Sequence, residues 1–362
     1  MDCGPENCDA NIINGFTTLM SGLTNMKLAL PALLLVAGGI AAQSRDREVA
    51  IEYAPVFYQA LGDKPRGDYI TNFDFDGDWR GDNNWVNADK KRFPLKAYAY
   101  YSVSETKTHY FIHYAVYHPR DYKGGEIRGR ILSGLLRQGA EIAGKQDPTG
   151  LLDEATLAHE NDMEGALVVV EKASRQVTYV QTVAHNRFMG YTADDVKFEG
   201  SRVQLYIEAK GHGIEAYVPE KHGERNSIIY RFTGVAGDPE KDQTSYDLLP
   251  IATTIWPKAR ISGAKGPTYG ATHKYGTITI GVLNAKGIAV DRKVTLGNLG
   301  SAFLGRQGGL NRARPPWGWF DSTRREEPLG LWFFDPARTV KRDLKLGDDF
   351  PVAYLHPPFW VK

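Results

Sequence analysis

The residues best suited to chemistry stand together as His159-Glu160-Asn161-Asp162-Met163-Glu164-Gly165, followed at once by the apolar run Ala166-Leu167-Val168-Val169-Val170. An imidazole and three carboxylates are the side chains that hold divalent metals or move protons. Asp162 and Glu164 are two apart, so in a strand both point to one face. His159, arriving from the preceding loop, can fold over that face. One ring nitrogen and two carboxylates then converge, a donor set that suits Mg2+, Ca2+, Mn2+ or Zn2+. The spacing is not the His-Glu-x-x-His of a helical zinc protease, because no second His follows. The alternative is a surface turn of solvated charges. Glu160 or Glu164 could act as general base beside a polarising metal, which makes Glu160 a catalytic candidate.

A second acidic stretch runs from Asp74 to Trp85, with Asp74, Asp76, Asp78 and Asp82 spaced like the ligands of a calcium loop. An EF-hand needs a glutamate where Trp85 stands, and its glycine comes later than Gly77. A calcium turn of another kind and a turn whose aspartates bind their own backbone both remain open. Among the C-terminal aromatics, Trp332-Phe333-Phe334 reads as core. Trp317 and Trp319, set among Pro and Gly, fit a core or a sugar-stacking loop equally.

The elements that must position these groups read mostly as strands. Lys96–Val103 and His109–Tyr117 are rich in Tyr, Val, Phe and Ile and flank a short polar gap, which predicts a hairpin. Gly165–Glu171 and Gln176–Val183 predict a second, around Lys172-Ala173-Ser174-Arg175. Arg202–Ala209 alternates with period two. Ser227–Phe232, Thr277–Leu283 and Phe350–Tyr354 are further strand candidates. A helix is expected over Ile127–Ala143, weakened by Gly129, Gly134 and Gly139, and a short helical turn over Asp153–Ala158. The expected fold is mainly β, a β-sandwich of two antiparallel sheets with a few peripheral helices.

The 362 residues carry 44 Lys and Arg against 43 Asp and Glu, a formal charge of +1. That balance gives no bulk reason to bind nucleic acid or an anionic membrane. Arg312-Ala313-Arg314 and Arg324-Arg325 are short local patches. Met26-Lys27 followed by apolar Leu28 to Ala42 reads as a secretory signal, so 26–43 is the expected signal peptide, 1–25 an extension or mis-called start, and 44–362 one domain. Cys3 and Cys8 both precede it, which leaves the exported part without a disulfide. Gly-x-Ser-x-Gly, Walker, Gly-x-Gly-x-x-Gly and Cys-x-x-Cys patterns are absent, against the familiar serine esterases, P-loop enzymes, Rossmann dehydrogenases and redox proteins.

The stretch from His159 to Glu164 resembles the Gly-His-Arg-His-Asp-Trp-Glu motif of the necrosis-inducing (Nep-like) cytolysins. It is closer to the His-Glu-Gly-Asp-Trp-Glu form of the vacuolar protein sorting 62-related proteins. Asn161 stands where the cytolysins have a second His, and Met163 where both have Trp; these departures bear on toxin activity. Ile112–Asp121, Tyr179–His185 and Leu205–Gly213 are similar to other strands of that superfamily. The resemblance implies a β-sandwich with a divalent ion in a polar surface cavity, used by the cytolysins on sphingolipid sugar headgroups. It implies His159, Asp162 and Glu164 as ligands. His185, His212, His113 and Asp121 would serve ligand binding, and Asp153 is the nearest candidate for a further acidic ligand.

The expected function is a secreted divalent-metal-binding protein that recognises a glycan or lipid headgroup, with peripheral membrane contact and membrane activity within its reach. The alternative is a secreted metal-dependent hydrolase using His159, Asp162 and Glu164. A third reading is an envelope-associated structural protein whose ion only holds loops together.

Overall fold

The computed structural model describes residues 44–122, 158–223, 226–239, 241–261, 266–305, 313–324 and 327–361. Two units divide the chain, Met1–Arg47 and Glu48–Lys362. The expected signal segment, both cysteines, Arg312, Arg325 and the Ile127–Ala143 helix lie outside the described residues, as does the Asp153–Ala158 turn except for its last residue. No helix among the described residues is long and apolar enough to cross a membrane.

The second unit builds one large sheet from β1 (Val56–Ala60), β2 (Tyr98–Glu105), β3 (His109–Asp121), β4 (His159–Glu171), β5 (Gln176–Ala184), β6 (Arg187–Thr192), β7 (Phe198–Glu199), β8 (Arg202–Ile207), β9 (Ile214–Ala216), β10 (Ser227–Phe232) and β11 (Gln243–Pro250). Their order is β6-β5-β4-β3-β2-β11-β10-β1-β8-β7, with β9 also on β8. A second sheet is the long hairpin of β12 (Tyr269–Leu283) and β13 (Ala289–Phe303). The chain is mainly β, as expected, and both predicted hairpins are present, β2–β3 and β4–β5. Pairing in the large sheet is mixed rather than antiparallel throughout: β1 with β8, β10 with β11 and β11 with β2 run parallel. Hairpin signals report only pairings between neighbours in sequence, so these distant ones left no local trace.

Alternate residues of β3 and β4 face two different cores. Ile112, Tyr114, Val116, Ala166, Val168 and Val170 join residues of β1, β8, β9 and β10 in one apolar cluster. The large sheet therefore folds back on itself, and β9 lies against β4 and β5. Phe111, Ala115, Tyr117, Leu167 and Val169 join the β12–β13 hairpin and the aromatic C-terminal part in the other cluster. Burial on both faces explains why Phe111–Tyr117 and Ala166–Val170 read as continuous apolar runs. Trp332, Phe333 and Phe334 are buried there, as are Trp317 and Trp319. Phe350–Tyr354 does not form the expected strand; only Tyr354 makes isolated bridges, to Thr106 and Val282. Pro351 has no N–H to give a ladder.

Candidate functional site

β4 begins at His159 itself, opposite Asp121 at the end of β3, so the cluster sits within a strand rather than in the loop before it. Asn161 interrupts that strand with φ of 61°, a conformation asparagine tolerates better than most residues. Its side chain fixes the kink: Nδ2 donates to the Gly81 and Leu304 carbonyls at 2.8 and 2.7 Å, and Oδ1 accepts from Asn84 at 2.8 Å and from the Tyr117 hydroxyl. The kink breaks the alternation. Glu160 turns to the Asn84–Asn87 helix, where it accepts the Trp85 N–H at 2.6 Å. Asp162 and Glu164 both face a pocket of about 750 Å3, with His159 and Asp121 beside them.

The opposite wall comes from two turns. Ala184 and Arg187 pair across a two-residue hairpin whose central residues, His185 and Asn186, have φ of 49° and 60°, the geometry that suits the twist of a tight hairpin. The turn after β8 carries positive φ at Lys210 and His212. Gly213 follows, and a Cβ there would lie 3.0 Å from His185 Nε2. His185 meets Glu208 at 2.6 Å. Trp319 closes the floor, donating to the Met163 carbonyl at 2.9 Å. Its ring leaves no room for a side chain at Gly165, where a Cβ would come within 2.5 Å of Cη2.

A buried charge network lies behind the pocket. His212 is fully buried and bridges two carboxylates, Nδ1 to Asp162 at 2.9 Å and Nε2 to Asp68 at 3.2 Å. Burial alone would lower its pKa, but the hydrogen bonds to Asp162 and Asp68 outweigh that and raise it to about 10. Asp68 also accepts from the Gly62 and Lys210 N–H groups, each at 2.7 Å, and from the Tyr122 hydroxyl at 2.8 Å. His118 stacks on the His212 ring at 3.8 Å. Burial and the neighbouring imidazole drive its pKa well below the usual histidine range.

The two pocket carboxylates are pushed in opposite directions. Burial works against ionised Asp162, but the His212 hydrogen bond and charge prevail and its pKa is lowered. Glu164 is raised well above the usual carboxylate range by burial and by repulsion from Asp162, against a hydrogen bond from the His185 backbone. Its Oε2 is buried and has no hydrogen-bond partner. A buried acceptor in that state is satisfied by a proton or a cation.

Five of the expected residues, His159, Asp162, Glu164, His185 and Asp121, line the pocket. His212 stands directly behind it. Two do not reach it. His113 faces the other core, its Nε2 at 3.1 Å from the Trp332 carbonyl and its ring against Trp332 and Phe333. Burial holds its pKa at about 3. Phe111 and Ala115, two residues to either side on β3, belong to that core, and His113 shares their face. Glu160 is turned away as described. The aspartates from Asp74 to Asp82 are used within their own loop: Asp76 accepts the Asp78 N–H, Asp78 the Arg80 N–H and the Asn83 amide, and Asp82 pairs with Arg80. Asp68 and Arg187 were not marked by any motif, and Glu208 and Arg314 stood in stretches noted for other reasons, Leu205–Gly213 and Arg312-Ala313-Arg314. Asp68 carries no cue in sequence, because its partner His212 is brought to it only by the parallel pairing of β1 with β8.

Among the described residues no group of three or more His, Cys, Asp or Glu is gathered to hold a metal. His159 turns its Nδ1 to the Asn161 carbonyl at 2.7 Å, and its Nε2 lies 3.6 Å from Asp121.

No protein-family model matches the chain, and no curated protein matches it. Solved structures give partial likenesses. The necrosis and ethylene inducing protein 2 from the causal agent of cocoa's witches' broom disease is 16% identical over 47% of this chain and 67% of its own, with a TM-score of 0.29. NLPPya in complex with glucosamine is 14% identical over 56% and 72%, with a TM-score of 0.30. The non-toxic HaNLP3 protein is 15% identical over 60% and 80%, with a TM-score of 0.26. These structures are of necrosis-inducing-type proteins, and a likeness to the sorting-related group is not shown. At such TM-scores the likenesses decide neither fold nor function.

Proposed function

We propose that the pocket binds a polar, hydroxyl-rich ligand, a glycan or a lipid headgroup, outside the cell, with a divalent cation between Asp162 and Glu164. The observation that carries this reading is the buried, unpartnered Glu164 Oε2 beside an Asp162 held ionised by His212. The cation would supply charge for ligand hydroxyls to coordinate. His212 and Asp68 keep the Asp162 carboxylate fixed, and Glu208 and His185 offer hydrogen-bonding groups along the wall. Titration calorimetry with Ca2+, Mg2+, Mn2+ and Zn2+, then with glucosamine, glucose and inositol in the presence of the ion that binds, tests it. Sugar binding that disappears on chelation supports the reading; no heat from any ion or sugar counts against it.

A second reading is a hydrolase in which Glu164 gives a proton and Asp162 acts as base or nucleophile. The opposite displacement of their two pKa values favours it, because environments that separate two acids in this way assign acid and base roles. Membrane activity, hydrolysis and simple recognition separate in one comparison. Dye release from glycolipid vesicles and turnover of nitrophenyl glycosides are measured for the wild type and Asp162→Asn.

A further inference from the structure

The turn of the β12–β13 hairpin brings two exposed large apolar side chains within three residues of each other. Ile288 is 57% exposed and Val290 is 43% exposed. The neighbouring Ala285 and Ala289 are exposed as well. Lys286, Arg292 and Lys293 surround these apolar groups, all exposed. Asp291 is the only acid between positions 284 and 293, and it faces the Arg338 guanidinium at 3.9 Å. The turn is ordered rather than slack: Asn284 accepts the Lys286 and Ile288 N–H groups at 2.9 and 3.1 Å, and Gly287 supplies the positive φ of 72°.

We propose that this turn docks on an anionic phospholipid bilayer. An apolar wedge ringed by cations is the chemistry that enters the boundary between headgroups and acyl chains and is held by anionic lipid. Two large apolar side chains supply only a small part of the roughly 800 Å2 per partner that a stable protein interface uses. A bilayer makes no such demand. The other end of the hairpin meets the strand that carries the pocket carboxylates, since Leu304, just past β13, accepts from Asn161 of β4. Fifteen-residue strands separate the two ends, on the order of 50 Å at about 3.4 Å per residue. A protein docked by the turn thus holds its pocket away from that surface, and the contact is independent of the pocket's ligand.

Co-sedimentation of the full chain with vesicles of phosphatidylcholine, alone or in equal parts with phosphatidylserine, tests the proposal. The wild type is expected to bind the anionic vesicles and to release them as salt rises. The exposed pair Ile288→Asp and Val290→Asp is expected to weaken binding roughly tenfold or more, in line with the loss of two partly inserted side chains, without changing the melting temperature. Lys286→Gln with Arg292→Gln and Lys293→Gln should flatten the salt dependence. Three results overturn it: no binding of wild type to anionic vesicles at low salt, equal binding by the Ile288 and Val290 variant, or a turn already buried in a self-associated species that the same variant dissociates.

Discussion

Replacing His212 removes the charge that two buried carboxylates share. Its ring is fully enclosed and bonded at both nitrogens, to Asp162 at 2.9 Å and to Asp68 at 3.2 Å. A pKa raised from 6.5 to about 10 corresponds to roughly 5 kcal/mol in favour of the imidazolium at about 1.4 kcal/mol per unit. Breaking a buried ion pair by deleting one partner costs about 3–5 kcal/mol, so the two routes agree. Asp68 keeps three other donors, and most of the loss therefore falls on Asp162. His212→Ala should lower the free energy of urea unfolding at neutral pH by that amount. The double change His212→Gln with Asp162→Asn should recover a large part, because it removes the stranded charge. The folded pKa lies above the unfolded one, so the stabilisation is complete below about pH 6.5 and lost as pH rises through about 10. The wild-type urea midpoint should fall across that interval, and His212→Ala should lack that slope. A loss under about 1 kcal/mol, or strictly additive double-mutant energies, would refute the buried bridge.

Gly165→Ala should destabilise by about 1–3 kcal/mol through overpacking, because its Cβ would sit 2.3 Å from the Tyr114 carbonyl and 2.5 Å from the Trp319 ring; urea unfolding gives the energy. Tryptophan emission should show Trp319 displaced, and an unchanged spectrum at wild-type stability would contradict the packing. His113, buried and held at a pKa of about 3, stays neutral while the unfolded chain takes up a proton. Its contribution is therefore present above about pH 6.5 and drains away as pH falls toward 3, on the order of 5 kcal/mol in all. His113→Gln should reduce the slope of stability against pH in that interval, and an unaltered slope would place the acid sensitivity elsewhere.

The sequence disclosed what depends on neighbours in the chain. Both hairpins around β3 and β4 follow from apolar runs broken by short polar gaps, and Asp162 and Glu164 share a face because strand side chains alternate. Two of the expected residues, Glu160 and His113, do not reach the pocket. Asn161 stands where the cytolysin motif has a histidine, and its left-handed backbone turns Glu160 out of the pocket. His113 enters the expected site only by resemblance, and it shares the face of Phe111 and Ala115 toward the opposite core. What stayed hidden depends on distant pairing. The parallel neighbours β1 and β8 bring Asp68 to His212, and neither segment signals the other. The folding of one long sheet into two layers is likewise a property of the assembled strands, not of any one of them.

The most direct test of the pocket is cation binding by wild type and Glu164→Gln, followed by calorimetry or by terbium luminescence sensitised from Trp319. Glutamine keeps the shape and removes the charge, so its fold should match or slightly exceed the wild type in stability without ion. One ion is expected to bind the wild type with a rise in melting temperature, and the Glu164→Gln protein should lose both effects. Equal ion affinity in the two proteins, or no binding by a folded wild type, would contradict a cation held by Asp162 and Glu164.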